Sequence, residues 1–315
     1  MATFDGPRAR RARTTDRIFR LALLAATISF VLLVAALFWN LLSGSFLSLK
    51  TFGVAFLWTS QWNPVTGRFG ALPLIYGTIV SSAIAILLAA IVGVFAAAYL
   101  ADFAPRLLAQ PLSFVIELLA AVPSVVFGLW GLFVLAPMMR SSVGPFLQTH
   151  FGWLPVFAGP IYGPGLLTAG IILAIMIVPT VTAISRDVIV AVAAEQREAS
   201  MSLGATRWET MQCVILPASR SGIFGACVLA LGRALGETIA TTMVIGNRPA
   251  ITASLFAPSY TLSSVIANEF TEATSDLYLS ALVELALILF IVSMLVNGCA
   301  RVLTWTVLRS SGRAR

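Results

Sequence analysis

The 315-residue chain holds one lysine, one histidine and three cysteines, and only 10% of its residues are charged. A soluble domain usually carries about 25% charged residues. With 59% hydrophobic residues and a mean hydropathy of +0.95, the composition excludes a soluble enzyme, a disordered tail and a collagen-like rod. The lone lysine, Lys50, is followed by Thr51 but preceded by Leu49, and it is expected on the outer side of a membrane. A Walker A loop needs its Lys on the nucleotide phosphates, so the chain has no P-loop of its own. His150 is read as a solvated loop residue, and no His-based triad can be built around it. Cys213, Cys227 and Cys299 match no metal spacing and fall in no external loop, which argues against a disulfide framework. No His, Cys or paired-carboxylate constellation suggests a membrane-embedded enzyme. Strands of about ten residues with period-two alternation are absent too, against a membrane β-barrel.

What is present is apolar sequence in long runs. A bilayer helix needs about 20 apolar residues, and six stretches qualify: Leu21–Leu42, Ala71–Ala101, Leu112–Met139, Leu166–Ser185, Ser221–Asn247 and Tyr278–Leu308. The expected fold is an all-α polytopic membrane protein. Residues 1–20 form a basic N-terminal segment, 21–308 the six-helix domain and 309–315 a tail. The first run is too long for a signal-peptide core and lacks a cleavage site, so it is read as an uncleaved helix. The net charge of +7 comes from arginines at the ends of these runs, which is a topology signal, not a nucleic-acid surface. With the N-terminus inside, fifteen basic residues fall on the inner side and four outside. The positive-inside rule then puts both termini in the cytoplasm. Trp58, Trp62, Trp153 and Tyr162 fall in the outer loops as interfacial aromatics. The stretch from Phe151 to Gly165 is expected to be irregular, because Pro155, Pro160 and Pro164 interrupt it.

The inner loop at 186–220 carries the sharpest pattern. Ala193–Leu203 is rich in helix formers, and Gly204 suits a left-handed turn. Thr206 with Glu209 forms a capping box for a second helix. Trp208, Met211, Gln212 and Ile215 share one face of it, and Pro217 is expected to end it. The result is helix, sharp turn, helix, with small Ala199 and Ser200 beside the bend. A plain amphipathic connector on the bilayer would look similar. The spacing Glu198-Ala199-Ser200, Gly204, Val214-Ile215-Leu216-Pro217 resembles the EAA motif of ABC importer permeases. Ser200 replaces an Ala and Val214 an Ile. The resemblance implies the type I (MetI-like) six-helix architecture. It also implies a coupling helix docking on a separate ATPase, with Glu198, Ala199, Gly204, Leu216 and Pro217 at or beside that contact. ATP and Mg would then belong to the partner, with no cofactor in this chain.

Four further stretches resemble the PstC-type branch of that family: 69–78, 117–131, 163–180 and 231–247. They imply a phosphate permease of the bacterial inner membrane. Its partners would be a PstA-type second permease, PstB-type ATPase subunits, an external PstS-type phosphate-binding protein and membrane lipid. Arg233 and Glu237 match charged positions linked to phosphate passage. From the residues themselves, an ionisable group inside a span costs roughly 2.5–3.5 kcal/mol on insertion scales and is a functional hypothesis by default. Arg233 and Glu237 are four apart and would share a helix face as an ion pair, with Thr241 continuing it. A purely structural pair is the other reading. Pro123-Ser124 is expected to open the third helix. Glu117 and Glu284 lie nearer span ends, where snorkelling is expected. A sulfate or molybdate permease stays open, as does a proton-coupled secondary transporter using Glu117 and Glu284.

Overall fold

The computed structural model describes residues 7–312, almost entirely helical. The basic segment 1–20 and the tail 309–315 lie partly outside the described residues. Helix α1 (Pro7–Gly44) leads into two short helices, α2 (Phe46–Phe52) and α3 (Ala55–Trp58), and then α4 (Leu72–Ala98). Helix α5 (Arg106–Ala120) precedes α6 (Ser124–Trp130). That run continues through π-helical turns and α7 (Ala136–Met138) to α8 (Gly144–Phe151). Then come α9 (Leu166–Val190), α10 (Ala194–Ser202), α11 (Arg207–Thr210), α12 (Leu216–Gly236), α13 (Ile239–Val244), α14 (Leu262–Glu269) and α15 (Asp276–Gly312).

Six helical stretches among the described residues are long and apolar enough to cross a bilayer: Asp16–Gly44, Leu72–Phe103, Ser124–Phe151, Leu166–Val190, Arg207–Gly236 and Asp276–Val302. The expected number of spans therefore stands, and three expectations about them need correction. The third span begins at Ser124, not Leu112. Glu117 sits before it on α5, a separate amphipathic helix, because the chain breaks at 121–123 where Pro123 removes a backbone donor. The fifth starts earlier, at Arg207, and its long helix stops at Gly236. Pro217 does not end the helix after the inner loop. It stands in the first turn of α12 behind a π-helical turn at Met211–Ile215, and the widened turn absorbs the missing N–H. His150 lies on α8, not in a loop, exposed and with Nδ1 2.9 Å from the Phe146 carbonyl.

Helix α9 is the hub, flanked by α4, α12 and α5. Lipid tails are as apolar as leucine, so bilayer helices associate by close packing and hydrogen bonding instead. The α4–α9 seam accordingly uses small residues. A Cβ on Gly170 would come 2.6 Å from the Ile84 side chain, and one on Gly93 2.8 Å from Val181. Three hydroxyls in these spans return to their own helix: Thr78 donates to Leu74 O, Ser81 to Gly77 O and Thr182 to Val178 O, whereas those of Ser82 and Ser185 are buried without a partner. The return bonds satisfy those three without water.

The segment from α2 to α4 packs on α14 and α15 through a second, aromatic core. Trp62 is buried there instead of lying at an interface. Its indole N–H donates to Glu269 Oε2 at 2.8 Å, and the Tyr278 hydroxyl donates to the same oxygen. Trp58, Trp153 and Tyr162 are exposed, as interfacial aromatics are. Between Phe151 and Gly165 the only regular structure is a 3-10 turn at Pro155–Phe157.

Candidate functional site: a broken-helix centre and a projecting loop

The charged positions expected in the fifth span lie at a break. Helix α12 stops at Gly236, and Glu237 is extended, with ψ 126°. Helix α13 starts two residues later. Glu237 therefore does not continue the helical face of Arg233, and the expected ion pair between them does not form. The Glu237 carboxylate instead accepts from Ala240 N at 3.1 Å, capping the start of α13. Its carbonyl accepts from the Ser263 hydroxyl at 2.8 Å. This is the capping preference of a carboxylate beside unpaired helix N–H groups. Arg233 is exposed, and its Nη1 reaches Thr180 Oγ1 at 3.4 Å, next to Pro179 of α9. No described carboxylate lies within ion-pair distance of it.

Thr241 also leaves the Arg233 face. It is buried on α13, and its hydroxyl, like that of Thr242, has no hydrogen-bond partner. Helix α6, which follows the break at 121–123, packs on α13, which follows the break at 237–238. Gly128 of α6 lies so close to α13 that a Cβ there would stand 3.1 Å from Ala240 Cα and 2.6 Å from Met243 Sδ. Two helices thus pack against each other just after their breaks, and Arg233, in the last turn of α12 before Gly236, is left without a described counter-charge. Pro123, Gly236 and Arg233 are the sequence signals of this centre, but the role of Glu237 is not legible without the break.

The inner loop matches its expected local structure. Gly204 has φ +91° with open space around it. Thr206 caps α11, and the reciprocal box with Glu209 is complete. Thr206 N donates to Glu209 Oε2 at 2.7 Å, and Glu209 N donates to Thr206 Oγ1 at 3.3 Å. Glu198 and Ala199 are exposed on α10, and Leu203 is 90% exposed at the bend. Ser200 is 3.0 Å from Thr210 across the turn, hydroxyl to hydroxyl, a contact the alanine of the usual motif would lack. Met211 and Ile215 are buried against Ala97, Ala98 and Ile189, with Leu216 packed alongside, whereas Gln212 and Pro217 are exposed.

Two residues that the sequence reading passed over tie this loop to the bundle. Arg197 of α10 pairs with Asp102 at 2.5 Å and donates from Nη2 to Ile189 O at 2.7 Å. Both side chains are more than four-fifths buried. The pair links α10 to the end of the second span and to α9. An acid directly after an apolar run and the one basic residue of α10 were the available signals. Nearby, Glu117 and Arg186 lie 3.9 Å apart, and Arg186 also pairs with Asp187 at 3.1 Å. Glu117 is thus an exposed ion-pair partner outside the spans.

A six-span helical bundle with an EAA-spaced helix–turn–helix projecting from one end defines a permease that works with other subunits. The family model for the binding-protein-dependent transport system inner membrane component matches residues 89–305, and the chain belongs to that family. Within it, the chain is 49% identical over 296 residues to the phosphate transport system permease protein PstC of Mesorhizobium japonicum, covering 93% of this chain and 90% of that one. It is 44% identical to PstC of Pasteurella multocida, over 96% and 93% of the two chains. With PstC 2 of Mycobacterium tuberculosis it shares 40%, over 93% and 92%. Among solved structures, a bacterial ABC transporter that imports alginate superposes with TM-score 0.59 at 15% identity, covering 93% of this chain and 98% of that one. The inward-facing MetNI methionine transporter superposes with TM-score 0.57, also at 15% identity, covering 78% and 99%. These two similarities show the MetI-like permease fold. The protein is a multi-pass membrane transport component.

Proposed function

We propose that this chain is the PstC-type permease subunit of an ATP-driven importer of inorganic phosphate in the bacterial inner membrane, with both termini cytoplasmic. The observation that carries the reading is an arginine without a described counter-charge in the last turn before the helix break at Gly236, in a chain similar over nearly its whole length to phosphate permeases. A dehydrated phosphate is costly to hold in a low-dielectric path. A guanidinium offers charge and paired donors to its oxygens. Arg233 stays exposed and weakly held by Thr180, so it is free to meet an anion arriving at the break. Glu237 keeps α13 capped there, and its charge discourages overtight binding, since passage needs release as well as capture.

A PstS-type protein outside delivers phosphate, and a PstA-type permease completes the path. PstB-type subunits bind ATP and Mg and dock at Glu198, Ala199 and Gly204. Leu216 and Pro217 carry the motion into α12. The buried Arg197–Asp102 pair makes α10 move with the second span. The exposed loop face and its capped, turn-locked geometry support this docking role.

The test is uptake of radiolabelled phosphate by cells lacking their own high-affinity permease and supplied with this chain and its companion subunits. Phosphate uptake that persists with a protonophore while ATP is present, and that excess sulfate or molybdate does not compete away, is the expected result. Competition by sulfate or molybdate would reassign the cargo. Loss of uptake on proton-gradient collapse alone would reassign the energy source.

A further inference from the structure

Helix α1 stands apart from the rest of the bundle. None of its residues from 16 to 44 is buried. It meets α15 near its Gly44 end, where Ser280 Oγ donates to Gly44 O at 2.8 Å and the Phe38 and Phe290 ring centroids lie 5.8 Å apart. Past Phe38 the two antiparallel helices leave a groove of about 1140 Å³ between them. Its walls include Phe30, Val34 and Phe38 of α1 and Phe290, Met294 and Gly298 of α15. It runs to Val302, and no charged side chain lines it. Gly298 leaves open space where a Cβ would stand.

The groove suits acyl chains better than another helix. Phe290 to Val302 is twelve residues of rise, roughly 18 Å, close to one leaflet of a hydrocarbon core about 30 Å thick. Bilayer helices approach one another through small residues, whereas these walls are mostly phenylalanine, valine, leucine and methionine. The charges at the far end name the headgroup. Arg301 lies two turns past Met294, and Arg20 lies three turns before Val31, so each falls on the groove-facing side of its helix. Arg17 lies one turn before Arg20. All three are exposed, and no described acid is within ion-pair distance of them. Asp16 is the one acid of α1, so the mouth of the groove stays positive. A topology bias would be met by arginines on any face; here they continue the two faces that bound the groove.

We infer that the groove between α1 and α15 is a site for an anionic phospholipid, with its acyl chains along Val34, Phe290 and Met294 and its phosphate held by Arg20 and Arg301. Basic residues that close an apolar cleft between membrane helices attract such headgroups. The lipid fills the space beside α1 and fastens that helix to α15. The site is independent of which anion the chain carries.

The test uses the full chain with its co-purifying subunits in phosphatidylcholine nanodiscs. These are doped with phosphatidylglycerol or phosphatidylcholine probes that carry the same photoreactive acyl chain. Labelling of the peptides bearing 30–38 and 290–302 is expected to favour phosphatidylglycerol by about twentyfold, roughly fivefold from each of Arg20 and Arg301. Arg301→Gln should cut that preference about fivefold, and adding Arg20→Gln should remove most of the rest. Arg68→Gln, at the other end of the bundle, should leave it unchanged. Gly298→Phe fills the groove and should lower labelling by both probes. Equal labelling by the two headgroups, a preference undiminished in the double variant, or one that Arg68→Gln lowers as much, would overturn the site. If the variants do not assemble, competition on the wild type decides. Unlabelled phosphatidylglycerol must displace the probe and unlabelled phosphatidylcholine must not; equal displacement overturns the inference. A cross-link from Cys299, which lines the groove, to another subunit would identify a protein occupant and overturn it as well.

Discussion

Arg233 and Glu237 show how far a residue's role depends on the backbone beneath it. Spaced four apart, they look like one ion pair on one helix, and a charge swap would then restore function. The helix stops between them, so Glu237 serves α13 and Arg233 faces Thr180. Arg233→Gln is expected to lower phosphate uptake by about 10- to 100-fold, the loss of one charged contact, in a complex that still assembles. Glu237→Ala removes a cap worth about 0.5–2 kcal/mol and should lower the thermal stability of the complex, whereas Glu237→Gln keeps an accepting oxygen and should be milder. The double swap, Arg233→Glu with Glu237→Arg, should fail, since no bridge exists to rebuild and a cation would replace the cap. Uptake per assembled complex measures Arg233→Gln and the swap, and thermal unfolding of the complex measures the two Glu237 variants; recovery in the swap would refute the separate roles. The intramembrane arginine was legible because charge in a span is expensive. Its freedom from Glu237 was not, because only the break decides it.

At the scale of elements, the inner loop was almost fully legible. Gly204, Thr206 and Glu209 dictate turn and cap through contacts within four residues, which a sequence displays directly. Gly204→Val places a β-branched residue at φ +91°, outside the region such residues tolerate. The variant should insert and bind phosphate-loaded binding protein yet transport little; normal ATP-dependent uptake would reduce the loop to a connector. The Arg197–Asp102 pair spans 95 positions and was invisible, since nothing local joins its partners. Removing one member of a buried pair leaves the other uncompensated and costs about 3–5 kcal/mol. Asp102→Asn should therefore loosen α10 from the second span, giving ATP hydrolysis with uptake reduced further than the hydrolysis rate. Proportionate loss of both activities would make the pair merely structural. Pro217 misled for a related reason. A proline ends a helix only if its missing bond has no alternative, and the π-helical turn before it supplies one.

Over the whole molecule, the six spans leave 45–71, 152–165 and 237–275 at one end, and 104–123 and 191–206 at the other with the start of the first span and the end of the last. The excess of arginines at that second end, read from the sequence, supports the proposal that it is cytoplasmic. A cysteine replacing Asn63 should react with an impermeant thiol reagent added outside, and one replacing Ala205 should not; reversed labelling would invert the orientation. The number of spans, the basic asymmetry and the projecting loop were determined by the sequence alone, because a bilayer imposes hydrophobic length and charge placement on consecutive residues. Tertiary structure decided what depends on neighbours far along the chain. It buried Trp62 against Glu269, packed α6 on α13 just after their breaks, joined Arg197 to Asp102, and buried Glu284 on α15, where snorkelling was expected. Hydrophobic periodicity reports only that a residue faces away from water. Whether an acid, a guanidinium or an indole finds a partner there depends on which helices touch, and in a bilayer that is decided by small-residue packing such as Gly170 against Ile84.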